Sequence, residues 1–182
     1  GIKKTIESIA DDYTVQSRFG EKWFSNTLFN LAAAQSSHVS LSPCRTAFVT
    51  AAGPSLEKQI PRLCKERKKG ILIATDTSLP SLLSYDIIPD LVISIDCQQI
   101  SYPHFLKGLP AHIPLVLDLA SPALLTRLSS RVLFFSSGHP FSQFLSNNWR
   151  RFPVIDTSGG NVTHAALSLA AALGAKEIYL YG

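Results

Sequence analysis

The sequence predicts an α/β fold: a Rossmann-like three-layer sandwich with a mainly parallel sheet, preceded by N-terminal helices. Three observations support this prediction. Short, nearly continuous apolar runs recur along the chain, as is typical of strands covered on both faces. Segments with helical periodicity lie between these runs. Hydrophobic residues make up 46% of the 182 residues, which is enough for the core of one ordinary domain.

The strand and helix candidates alternate after residue 43. The predicted strands are 46–50, 71–74, 91–95, 114–117, 132–135 and 178–181, and the predicted helices are 55–68, 78–84, 121–128, 140–148 and 161–173. This alternation indicates parallel strands joined by right-handed crossovers. Residues 1–43 are predicted to form a helical lead-in, with Gly20 separating two helices, and residues 44–182 to form the Rossmann-like domain.

The composition of the chain limits the classes of ligand and partner that we expect. The formal net charge of +4 suits an anionic small ligand, and no basic-aromatic stripe points to nucleic acid. Three cysteines without a CxxC spacing predict neither a disulfide framework nor a zinc site, so we expect a reducing, cytoplasmic setting. No apolar run is long enough for a membrane span. The chain has no methionine, which suggests a fragment of a longer protein. It also stops one residue after a predicted core strand, so we expect the domain to be truncated at its C-terminus.

The first predicted strand leads into a glycine loop that ends at a helix. Gly53 lets the backbone approach a ligand, Pro54 suits a first helical turn, and Ser55 offers a hydroxyl donor. Free N–H groups and the helix dipole at such a start favour phosphate. A plain strand-to-helix turn is the alternative.

Acidic residues follow the next two strands. Asp76 and Thr77 come directly after the second strand, and Asp96 follows the third. Carboxylates at successive strand ends suit Mg²⁺, a ribose or a base, whereas helix capping is the alternative for Asp76. Asp76 and Asp96 are therefore candidate ligand-binding, metal-binding and catalytic residues.

Two later loops also precede helices. Ser137 and Gly138 follow the fifth strand and are candidates for contact with a base or phosphate. The loop before the last helix forms a second phosphate-type nest, with candidate residues Ser158, Gly159, Gly160 and Asn161. His164, in the first turn of that helix, is either a general base or a solvent-facing side chain.

Four ordered motifs resemble the MptE-like family, whose members are similar to archaeal hydroxymethylpterin diphosphokinase and include the core of motility accessory proteins that glycosylate flagellin. The motifs are Ala51-Ala52-Gly53-Pro54-Ser55-Leu56, Ala74-Thr75-Asp76-Thr77-Ser78-Leu79, the run 88–96, and Ser158-Gly159-Gly160-Asn161-Val162 followed by the run 170–182. The first and last are also similar to motifs of bacterial CMP-sialic acid sialyltransferases.

The resemblance implies roles for these residues. By similarity to the sialyltransferases, Gly53, Pro54 and Ser55 would hold phosphate or ribose, and Ser158, Gly159 and Gly160 would hold the cytidine monophosphate end. Asp76 would take the place of an asparagine-type contact to the nucleotide. In the diphosphokinase branch, Asp76 and Asp96 would help to place Mg-ATP. Asp96 is followed by Cys97-Gln98-Gln99, where relatives often have Asp-Pro.

These implications give three functional hypotheses. The first is a glycosyltransferase that uses a CMP-activated nonulosonic sugar, requires no cofactor and modifies flagellin or another surface polymer. The second is a diphosphokinase that passes pyrophosphate from ATP to a hydroxymethylpterin and requires Mg²⁺. The third is a non-catalytic nucleotide- or sugar-binding module.

Overall fold

A six-stranded sheet forms the centre of the molecule, and every strand pair in it is parallel. The computed structural model describes the backbone of residues 2–106, 108–158 and 160–182, and the side chains of 14, 17–98, 101–106, 108–158 and 160–182. The strands are β1 (Thr46–Thr50), β2 (Ile71–Thr75), β3 (Leu91–Ser94), β4 (Leu115–Asp118), β5 (Val132–Phe135) and β6 (Glu177–Tyr181). Their order across the sheet is β5-β4-β3-β2-β1-β6. The predicted Rossmann-like α/β class is confirmed.

Within the described part of the chain, five α-helices accompany the sheet. They are α1 (Ile2–Ser36), α2 (Leu56–Glu66), α3 (Leu79–Ser84), α4 (Pro140–Asn148) and α5 (Val162–Ala172). Apolar side chains of α2 and α3 pack with Phe48, Leu72 and Val92 in one core cluster. Those of α5 pack with Val49 and Ile73 in the other. Since successive side chains of a strand point to opposite faces, β1 to β4 contribute to both clusters, which explains their continuous apolar sequences.

The N-terminal segment is one helix, so the prediction of two helices separated at Gly20 is wrong. α1 runs through Gly20 and ends at Ser36. A single glycine inside a helix costs only about 1 kcal/mol relative to alanine, which does not end a helix held by other contacts. The Arg150 guanidinium donates to the carbonyl oxygens of Ala34 and Ser37 and so satisfies the C-terminal end of α1.

Two connections differ from the predicted helices. The predicted helix 121–128 is a 3₁₀ helix over Ala123–Arg127 that begins after Pro122. A 3₁₀ helix over Gln99–Phe105, which contains Pro103, was not predicted.

The order of the strands reverses at β1. From β1 to β5 each new strand is added on the same side, and the chain then returns to place β6 on the other side of β1. In sheets of this kind, ligands bind beyond the carboxyl ends of the strands. Among the described residues, no helix is both long and apolar enough to cross a membrane. Cys44, Cys64 and Cys97 are free.

Candidate functional site

A cleft lies beyond the carboxyl ends of β2 to β5 and consists of two adjoining cavities that share Trp23, Ile95 and Gly160. The first, here the acidic cavity, has a volume of about 390 Å³, and its polar lining includes Asp76, Thr77, Asp96, Gln98, Ser101, His104 and Asn161. The second, here the loop cavity, has a volume of about 330 Å³ and is lined by Asp118, Ala120, Ser137, Gly138, His139, Pro140 and Thr157. The sizes are those of small-ligand sites.

Asp76 forms part of the floor of the acidic cavity. It follows the last residue of β2, and its backbone N–H donates to the Ile93 carbonyl 3.0 Å away, which continues the pairing of β2 with β3. Its carboxylate accepts from the Ser94 hydroxyl at 2.6 Å and from the Thr77 N–H at 2.7 Å. Burial raises the pKa of Asp76, and these two hydrogen bonds oppose that shift. The Asp76 carboxylate is therefore a hydrogen-bond acceptor in a fixed position, and its burial makes the ionised form energetically unfavourable.

Asp96 lies in the same cavity on the neighbouring strand's loop. It is half-buried, and its Oδ1 accepts from the Gln98 N–H at 2.8 Å. The structure thus brings Asp76, Thr77 and Asp96 together at adjacent strand ends. Of the two carboxyls, Asp96 is the more exposed and the better placed to meet a ligand.

Asp118, the last residue of β4, also lies at the edge of the cleft, and it was not predicted from the sequence. The side chain is only 2% exposed, and its carboxylate accepts from the Ala120 N–H at 2.7 Å and the Ser137 N–H at 3.0 Å. These bonds join the loops that follow β4 and β5. Burial raises the pKa of Asp118, against the effect of the same hydrogen bonds. Its position at the end of an apolar strand, which Asp76 shares, was the signal that could have found it.

The loop after β5 forms one wall of the loop cavity. Gly138 adopts a φ of +92°, in the left-handed region that favours glycine, and leads into His139 at the start of α4. The His139 ring stacks edge-on against Trp23 at 4.8 Å between centroids. Its Nδ1 is buried and has no hydrogen-bond partner among the described residues, and burial lowers the pKa of His139. The predicted pair Ser137 and Gly138 therefore lies in the cleft.

The loop before α5 reaches both cavities. Gly160 has a φ of +69° and lies where the two cavities meet, and Asn161 lines the acidic cavity. The Asn161 Oδ1 accepts from the His164 N–H at 2.9 Å and so caps α5. Ser158 is not among the described residues that line either cavity, and Gly159 lies outside the described residues.

His164 forms a pair with Asp156 beside this loop. Its Nε2 lies 3.1 Å from Asp156 Oδ2, while the Ser158 N–H donates to Asp156 Oδ1 at 2.9 Å. The Ser158 and His164 hydrogen bonds lower the pKa of Asp156 to about 2. His164 is not among the described residues lining the cleft, so its contact with Asp156 anchors the loop before α5.

The glycine loop after β1 lies elsewhere on the same edge of the sheet. Gly53, Pro54 and Ser55 are not among the described residues that line the cleft. The Ser55 hydroxyl donates to the Gly182 carbonyl, and the Gly182 N–H donates to Gln59 Oε1 at 3.0 Å. A Cβ on Gly53 would collide with the backbone of Gly182. Gly53 is thus required for the close approach of two strand ends, and the structure does not bring this loop and the loop before α5 into one cavity.

α1 covers the cleft. The Asn26 amide donates to the carbonyl oxygens of Cys97 at 2.9 Å and Ala120 at 2.8 Å, beyond the ends of β3 and β4. The fully buried Asn30 amide donates to those of Leu119 at 2.9 Å and Ser121 at 2.8 Å. These bonds fix α1 across the strand ends, with Trp23 facing both cavities.

The predicted metal ligands form a pair. Within the described ranges, no group of three or more His, Cys, Asp and Glu side chains is arranged to hold a metal ion. Mg²⁺ often takes only one or two protein carboxylates and completes its shell with water and substrate phosphates, so Asp76 and Asp96 fit Mg²⁺ carried by a nucleotide.

Comparison with known proteins relates this chain to a protein family, to a relative and to a solved structure. The model of the family described as "6-hydroxymethylpterin diphosphokinase MptE-like" matches residues 21–182. A protein of Treponema pallidum (strain Nichols), described as uncharacterized, is 38% identical over 102 residues, which are 54% of this chain and 49% of that protein. This chain thus spans about half the length of that relative.

The third match is a solved structure, that of the MAf glycosyltransferase from Magnetospirillum magneticum AMB-1. It superimposes with a TM-score of 0.69 and 19% identity, over 86% of this chain and 27% of that one. At this identity the likeness establishes the fold. Since the family match begins at residue 21, it includes the part of α1 that covers the cleft as well as the whole sheet. The chain belongs to the MptE-like family.

Proposed function

We propose that this chain is the nucleotide-binding domain of a glycosyltransferase and that it binds a CMP-activated nonulosonic sugar in the cleft beneath α1. The observation that carries the proposal is the cleft itself: two joined cavities beyond the carboxyl ends of parallel strands, where such sheets bind nucleotides. Their combined size suits a ligand with two parts, a nucleotide and a sugar. The fold shared with the MAf glycosyltransferase supports the same class of reaction.

The chemistry follows from the lining. In glycosyl transfer the nucleotide leaves with growing negative charge on its phosphate. The amino end of α5 lies directly after Gly160, where the two cavities meet, and presents the positive end of the helix dipole to that charge. Asp96, whose side chain is half-buried in the acidic cavity, is the carboxylate best placed to contact the nucleotide. Flagellin or another surface polymer is the acceptor class that we propose.

A second candidate is pyrophosphate transfer from ATP to a hydroxymethylpterin. The description of the matching family and the pairing of Asp76 with Asp96 in one cavity favour it. Mg²⁺ would supply charge neutralisation on the phosphates, and these two carboxylates would hold it.

Calorimetric titration of the full-length protein separates these candidates. CMP, ATP with Mg²⁺, and 6-hydroxymethylpterin are titrated into wild type and Asp96→Asn. Binding of CMP without metal supports the glycosyltransferase, whereas Mg²⁺-dependent binding of ATP together with pterin supports the diphosphokinase. Binding of none of the three overturns both. Asp86→Asn is the matched control, because Asp86 is exposed and has a φ of 56° that asparagine tolerates.

A further inference from the structure

One face of α1 carries both the contacts that fix the helix and the aromatic rings that enter the cleft. Phe19, Trp23, Asn26 and Asn30 follow one another at intervals of three or four residues, so they lie on the same side of the helix. Asn26 and Asn30 hold this side against the loops after β3 and β4 through four hydrogen bonds. The position of the Trp23 ring is therefore set by the sheet edge itself.

Trp23 lies between the two cavities. It lines both, with His139 edge-on at 4.8 Å in the loop cavity and Phe19 at 6.2 Å in the acidic cavity. Cys97, whose carbonyl accepts from Asn26 at 2.9 Å, lines the acidic cavity together with Trp23. The Trp23 ring is thus half-buried, with the Phe19 and His139 rings beside it, while parts of its surface face the two cavities.

We propose that Trp23 is the stacking platform for the planar heteroaromatic ring of the ligand. That ring is a nucleobase in the glycosyltransferase and a pterin or nucleobase in the diphosphokinase, so the proposal rests on the proposed function of the cleft. Nucleobases and other planar heteroaromatic rings commonly stack on an aromatic side chain that is fixed beside an open cavity. The ring stacks on the side of the acidic cavity.

The charges of the two cavities support this orientation. Cytosine, adenine and pterin each carry an exocyclic amine, which the half-buried carboxylate of Asp96 can accept from. A phosphate in the same cavity would meet both Asp76 and Asp96. In the loop cavity, both oxygens of the Asp118 carboxylate already accept hydrogen bonds from backbone N–H groups. The start of α4 and the loop before α5 also line this cavity. When CMP binds without a metal ion, its phosphate therefore points toward Gly160 and the loop cavity.

The test compares three variants of the full-length protein. Trp23→Leu keeps an apolar side chain and removes the ring, Trp23→Phe keeps a smaller ring, and Trp149→Phe changes an exposed tryptophan at the end of α4. Each is titrated with CMP, ATP with Mg²⁺, and 6-hydroxymethylpterin by calorimetry and by tryptophan fluorescence. Thermal unfolding of each variant establishes that it is folded.

We expect Trp23→Leu to weaken binding of the cognate ring by on the order of 5- to 100-fold, and Trp23→Phe by about 2- to 5-fold. Binding should quench the part of the wild-type fluorescence that is missing in Trp23→Phe, and Trp149→Phe should retain both affinity and quenching. Comparison of the titrations with CMP, ATP and 6-hydroxymethylpterin identifies which ring stacks on Trp23.

Equal affinity in folded Trp23→Leu and wild type, with no quenching of the Trp23 signal, would overturn the stacking role while leaving nucleotide binding intact. Absence of binding to wild type in all three arms would overturn the proposed function and this inference together. A loss of affinity in Trp23→Leu that Trp23→Phe does not partly restore would also contradict stacking.

Discussion

At each end of the carboxyl edge of the sheet, a loop with a glycine leads into a helix. At one end, here the closed end, other protein atoms fill the space beside the glycine, whereas at the other, here the open end, the glycine faces a cleft. At the closed end, the Gly53 loop leads into α2, but the Ser55 hydroxyl and the space beside Gly53 are taken by Gly182. At the open end, the loop before α5 places Gly160, beside which a Cβ would find open space, at the meeting point of two cavities. A glycine before a helix is therefore not enough to predict a phosphate site, because distant neighbours decide whether the helix start is accessible.

The two ends also differ in their charged groups. The open end has buried carboxyls at the ends of β2 and β4, Asp76 and Asp118, each held by hydrogen bonds. Burial raises the pKa of both, so their charged forms cost stability that a well-packed apolar group would not. Such a cost is typical of sites shaped for a ligand.

The largest difference that we expect is in the free energy of unfolding when Gly53 or Gly160 is replaced by alanine. Gly53→Ala places a Cβ against the Gly182 backbone, and we expect it to lower the free energy of unfolding by about 3 kcal/mol. Gly160→Ala meets no neighbour and suffers only from the positive φ, which costs about 1 kcal/mol. Urea denaturation of the two variants measures both values. A cost for Gly53→Ala no greater than that for Gly160→Ala would remove the distinction between the ends.

A second comparison, between Ser55→Ala and Asn161→Ala, separates effects on folding stability from effects on ligand binding. Ser55→Ala removes the hydrogen bond to Gly182, and Asn161→Ala removes the cap of α5; each should lower the free energy of unfolding by about 1 kcal/mol. Affinity for CMP should fall several-fold only in Asn161→Ala, because Asn161 lines the acidic cavity and Ser55 is outside the described lining.

Asn161→Ser is the control for this comparison, since serine keeps a capping oxygen and should restore stability. Calorimetry on all three variants gives the affinities. Weaker binding in Ser55→Ala than in Asn161→Ala would place the ligand at the closed end.

The smallest effect is a pH dependence at the open end. The pKa of Asp156 is lowered to about 2 by Ser158 and His164, from an ordinary value of 3.8. A lowered pKa contributes stability above the ordinary value, and that contribution is lost as the pH falls from about 4 toward 2. Wild type should therefore have a slightly higher Tm than Asp156→Ala above pH 4, and the two should converge in acid. A difference that grows in acid would contradict this.

The sequence predicted the sheet well because its strands are continuous apolar runs. The bounds of β1 and β5 agree with the prediction, and those of the other strands differ by one residue at one or both ends. The predictions failed where the outcome depends on contacts between distant residues. Nothing local to Gly53 indicates Gly182, and nothing local to Asn26 indicates the carbonyl groups of Cys97 and Ala120 on which it holds α1.

The candidate site was predicted in part for the same reason. Asp76, Asp96, Gly138 and Gly160 were found because each follows a predicted strand or precedes a predicted helix. The role of Trp23 was missed because α1 was interpreted as a lead-in.

The central claim is that a nucleotide binds in the cleft under α1, at the open end of the sheet edge. The most direct measurement is a crystal structure of the full-length protein with CMP. We expect electron density for the nucleotide beside Gly160, with its base against Trp23. Density against Gly53 and Ser55, with the cleft empty, would contradict it.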